Sequence, residues 1–135
     1  MLKLIALTQD GRFSEIDWVR LRRVGRAIVH YVAKASPEED AIHGLRARLL
    51  PFVEKAIAGG FSVPYVGPVP YHLNLQWEGS EPAFSQELFE LYAEFYVTLG
   101  GIPPLPSERD ARGKRIHKPD VMIDGKAYKE AEFED

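Results

Sequence analysis

The chain has 135 residues, a net charge of −3 and no cysteine, with 45% apolar and 27% charged residues. That length fits one domain, 1–135, with enough chain to bury a core without metals or cross-links. The missing cysteine excludes disulfides, cysteine metal sites and thiol catalysis, and the composition is that of a soluble globular protein.

The first residues, MLKLIALTQDG, lack the long apolar region and small-residue cleavage site of a signal peptide, so none is expected. No apolar run approaches the length that spans a bilayer, so a cytoplasmic protein away from membranes is expected. Charge is unevenly placed. Residues 1–60 hold ten Lys/Arg against seven Asp/Glu, and 61–101 hold five glutamates and no Lys or Arg. This acidic middle argues against broad nucleic-acid binding, which needs basic charge collected on one surface.

In chain order, Lys3–Thr8 reads as a short strand ended by Gln9-Asp10-Gly11. Ser14 then offers an N-cap with Asp17 at N3, and Phe13 and Trp18 are placed to staple the helix start. Trp18, Leu21, Val24, Ile28, Tyr31 and Val32 continue it as an apolar arc, and Gly25 costs some helix propensity. Arg22, Arg26, His30 and Lys34 form a basic column opposite. Like charges at this spacing repel, so an acidic neighbour is expected beside them, the chain's own acidic segment first.

Ser36-Pro37-Glu38-Glu39 is a strong helix start, with Ser36 as cap, Pro37 at N1 and Glu39 closing the box. Ile42, Leu45, Leu49, Phe52, Val53 and Ile57 are the expected core of this helix. Pro51 either kinks it or opens a separate one, and Gly59-Gly60 ends it. FSVPYVGPVP, residues 61–70, carries too many prolines for a central strand and reads as an edge strand or a rigid covering loop. Tyr71 to Trp77 alternates perfectly and reads as a half-buried strand. A third helix spans 86–99, capped by Ser85 and stapled by Phe84 and Phe89. A mobile loop is expected over 107–118. A hairpin, 121–123 with 126–128, turns at Asp124-Gly125, and 129–135 is expected to fray. The fold class is α+β: about three helices packed on a small, mainly antiparallel sheet with a C-terminal hairpin.

The standard catalytic, nucleotide and metal motifs are absent. No metal or cofactor is expected, because His30, His43, His72 and His117 match no ligand spacing. An ordinary strand position explains His72 first. A ligand pocket of His72, Asn74 and Gln76 framed by Tyr65 and Tyr71 is the alternative, and His72 is the sole catalytic candidate. Arg22, Arg26 and His30, with the basic 109–118 loop, are the candidate phosphate contacts. Glu87, Glu90 and Glu94 line one side of the third helix. That row is a wet helix face, or a partner surface together with Trp77, and the surplus aromatics suit a docking face or a homodimer. The leading expectation is a small protein-binding domain, more a binder than an enzyme. It inhibits or neutralises a partner protein, a basic one if the glutamates meet it. A pocket at His72 and nucleic-acid binding are the alternatives.

Overall fold

The computed structural model describes residues 2–71, 85–103, 111–113 and 121–134. Within them the chain is α+β, as the pattern calls for: four helices and a three-stranded antiparallel sheet. The strands are β1 (Leu2–Ala6), β2 (Val121–Ile123) and β3 (Lys126–Glu132), in the order β1-β3-β2. Asp124 has a φ of 49°, as the expected Asp-Gly hairpin turn requires.

Helix α1 (Trp18–Lys34) starts later than Ser14 suggests. Asp17 is the cap, its Oδ1 accepting the Arg20 N–H at 3.0 Å. Phe13 explains the difference. It is buried beside Ile5 and Ala131, its N–H donates to the Gly101 carbonyl at 2.7 Å, and the Ser14 N–H donates to the Ala6 carbonyl at 2.8 Å. Phe13 and Ser14 thus belong to the edge of the sheet and are not free to staple a helix.

Helix α2 (Pro37–His43) keeps the Ser36 cap, 3.1 Å from the Glu39 N–H. Gly44, in the left-handed region at φ 64°, ends it after seven residues. So short a helix buries none of its side chains, and Ile42, expected in the core, is 55% exposed. The break therefore falls at Gly44. A π-helical turn, Leu45–Leu49, then runs into α3 (Leu50–Ile57), with the Leu50 N–H reaching back to the Leu45 carbonyl. That wide turn sits just before Pro51, where an ordinary helix would meet a ring clash and a missing donor.

Helix α4 (Gln86–Leu99) has the expected bounds and cap, with Ser85 Oγ 3.1 Å from the Leu88 N–H. Leu88, Tyr92, Phe95 and Leu99 bury against Leu21, Val24 and Ile28 of α1 and Leu45, Leu49 and Val53 below. Residues 61–70 form no strand. They are a covering loop, with Phe61, Val63 and Tyr65 on the helical core and the Tyr65 N–H donating to the Leu99 carbonyl at 3.0 Å. Of the Tyr71–Trp77 reading only Tyr71 falls among the described residues, as do only 111–113 of the 107–118 loop. Phe84 also lies outside them.

The expected frayed end needs correcting. Residues 129–132 pair with β1 in register, Ile5 opposite Lys129 and Lys3 opposite Ala131. The Glu134 N–H then donates to Asp17 Oδ2 at 2.8 Å. Composition marks this end as acidic and loose, but its partners are far away in the chain. Asp17 both caps α1 and ties down the last strand.

Candidate functional site

Two charged columns run along α1, and they differ in what meets them. Arg20 and Arg23 face acid from two directions. Arg23 donates to Glu134 at 2.7 Å and to Glu94 at 3.0 Å, and Arg20 lies 3.3 Å from Glu134. These bonds raise the Arg23 pKa above its ordinary value, and the hydrogen bonds from Arg23 hold the Glu134 carboxyl below its own. The second column is Arg22, Arg26, His30 and Lys34, all exposed. The Arg22 guanidinium stacks over the Trp18 ring at 5.1 Å. Among the described residues, none of the four has a carboxylate within ion-pair distance. The expected acidic neighbour is therefore present, but it neutralises the adjacent column.

At the C-terminal end of this column a cleft opens between α1, α2 and α4, with a volume of about 560 Å³. His30, Tyr31 and Lys34 come from α1, Glu39 from α2, and Glu87 and Leu91 from α4. In it the Tyr31 hydroxyl donates to the Glu39 carboxylate, 2.8 and 2.5 Å from its two oxygens, and lies 2.7 Å from Ser85 Oγ. A phenol has one proton, so Ser85 must donate to Tyr31. Burial, then the bond to Glu39, push the Tyr31 pKa above its ordinary value. Ser85 gives its proton to Tyr31 while its oxygen caps α4. The three groups tie the starts of α2 and α4 to α1. Glu39, expected to close its own capping box, serves this tie instead.

The acidic row divides along α4. Glu94 belongs to the Arg20–Arg23 network, and Glu90 accepts from Gln86 Nε2 at 2.9 Å. Glu87 is exposed on the wall of the cleft, with no cation in ion-pair distance among the described residues. Phe89, 37% exposed, lies between Glu87 and Glu90 in sequence. A second hollow, about 250 Å³, lies where α1 and α4 meet the end of β3, and Asp17 and Arg20 on its wall are already engaged.

The two tyrosines read as the frame of a ligand pocket each bond a backbone carbonyl through the hydroxyl. Tyr65 Oη donates to the Pro68 carbonyl and Tyr71 Oη to the His43 carbonyl, both at 2.5 Å. His72, Asn74, Gln76 and Trp77 lie outside the described residues, as do Arg109, Lys114, Arg115, His117 and Lys118. The sequence reading missed Arg20, Arg23 and Tyr31 as charge-bearing or polar parts of this region. Only the three-residue spacing of Arg20 and Arg23 hints at a second basic column. No local signal brings Ser85 to Tyr31.

Among the described residues no three His, Asp or Glu side chains gather as metal ligands would, and no helix is long and apolar enough to cross a membrane. The chain matches no protein-family model, no curated protein and no solved structure.

Proposed function

We propose that this chain is a protein-docking domain that covers, and so inhibits or neutralises, a partner protein. The docking face is the side where α1, α2 and α4 meet. The observation that carries this is the contrast within α4: Glu94 is neutralised by Arg23, whereas Glu87, about two turns earlier, lines an open cleft with no cation in ion-pair distance among the described residues. Glu90, three residues on along the same side of α4, is exposed as well. Carboxylates of one sign on an open face suit a contact in which charge steers the encounter. A basic patch on the partner suits these carboxylates.

The test is affinity capture from host lysate with tagged wild type and with a Glu87→Lys/Glu90→Lys variant. Glu94 is left intact, because reversing it would break its bond to Arg23. The expected result is one partner recovered near equal molar amount with wild type and lost with the variant. Equal recovery with both baits, or nothing specific with either, contradicts the reading.

A further inference from the structure

We propose that the column Arg22, Arg26, His30 and Lys34 is a second contact on the same face, and that it receives a carboxylate-rich helix of the partner. The inference rests on the docking reading only in taking the occupant to be a protein.

The argument begins with cost. Like charges four residues apart on one helix repel, and this protein elsewhere places a carboxylate against its arginines: Asp10 at Arg12, Asp40 at Arg46, Glu94 and Glu134 at Arg23. The column, like the single Arg48, has no carboxylate in ion-pair distance among the described residues, but it alone sets four such groups in a row, exposed along its whole length. Its geometry selects the occupant. Four-residue steps on an α-helix rise about 6 Å each, so a second helix bearing glutamates at the same spacing matches it step for step. Apolar surface lies at its N-terminal end, where Val19 is 44% exposed and the Trp18 ring backs Arg22. Arginine on an aromatic ring is the pairing that protein contacts favour.

A nucleic acid fits less well. Its charge is continuous, so its track would have to run on past Lys34, where Glu39 and Glu87 line the cleft. Among the described residues the basic stretch ends at Lys34, and acid lies beyond it. A short acidic element ends where the column ends.

The probes are a helical peptide with glutamate at every fourth position, the same peptide with glutamine there, and a mixed-sequence DNA duplex. The protein is wild type, an Arg26→Glu/Lys34→Glu variant, or the Glu87→Lys/Glu90→Lys variant. Arg26 and Lys34 hold no hydrogen bond or ion pair within the chain among the described residues, so their reversal leaves the fold intact, which an unchanged thermal transition verifies. Wild type is expected to bind the glutamate peptide in a salt-dependent way and the glutamine peptide far less. The column reversal should weaken binding about tenfold, the sum of two exposed ion pairs. The Glu87/Glu90 reversal should leave the peptide bound. Equal binding of the two peptides, or no effect of column reversal, overturns the proposal. Tighter binding of the duplex, lost on column reversal, overturns it in favour of nucleic acid. Because the peptide contact is read by reversing the column and the capture by reversing Glu87 and Glu90, either result can fail while the other stands.

Discussion

Replacing Gly25 with leucine should remove about 3 kcal/mol of stability, at the upper end of what overpacking a core costs. Gly25 is buried in the middle of α1 where that helix crosses α3 and α4. A Cβ built there would overlap Ile57 Cγ2, lie 3.2 Å from Phe95 Cε2 and touch Val53 Cγ1 at 3.5 Å. An added methyl already displaces Ile57, although alanine recovers about 1 kcal/mol of helix propensity. Leucine has nowhere to go, because Ile57, Phe95 and Val53 already occupy the space. Denaturant titration should show a lower midpoint with an unchanged slope, because the surface exposed on unfolding barely changes. A loss under about 1 kcal/mol for leucine would mean that the helices do not cross at Gly25.

Tyr92→Phe should cost about 2–3 kcal/mol, a large effect for one oxygen atom. Tyr92 is fully buried, and its hydroxyl closes both backbone groups of one residue. It donates to the Tyr71 carbonyl at 2.6 Å and accepts the Tyr71 N–H at 3.3 Å. Phenylalanine keeps the packing and leaves a buried donor and acceptor without that partner. The thermal midpoint should fall by roughly 10 °C. Alkaline pH probes the same place. Burial pushes Tyr71 up to about 12 and raises Tyr92 as well. Unfolded tyrosines lose their protons near pH 10, so above that pH the unfolded chain binds fewer protons than the folded one. Stability is therefore complete below about pH 10 and falls as pH rises toward 12. The variant, with one fewer raised phenol, should lose less over that interval. An equal loss in both proteins would show that Tyr92 does not titrate late.

Gly25 also shows where reading the sequence reaches its limit. Its cost to helix propensity is local and legible, whereas the crossing it permits depends on Ile57 and Phe95, distant in the chain. The same division recurs. The cap and bounds of α4, the Ser36 cap and the Asp-Gly hairpin follow from neighbouring residues, and all appear where expected. Ser14 fails as a cap because Phe13 answers to Ile5 and Ala131. The C-terminal residues are ordered because Asp17, Arg20 and Arg23 meet them. In the candidate site the basic column on α1 was visible from four-residue spacing alone. That its neighbour would take the acid was not, since Glu94 and Glu134 reach Arg23 only in the folded chain.

The docking face itself is tested most directly by the backbone-amide hydrogen-exchange footprint of this protein in complex with the captured partner. Slowed exchange over 27–39 and 85–90, with little change over 2–7 and 121–132, is the result the account predicts. Protection confined to the sheet, with the cleft between α1, α2 and α4 exchanging as in the free protein, would contradict it.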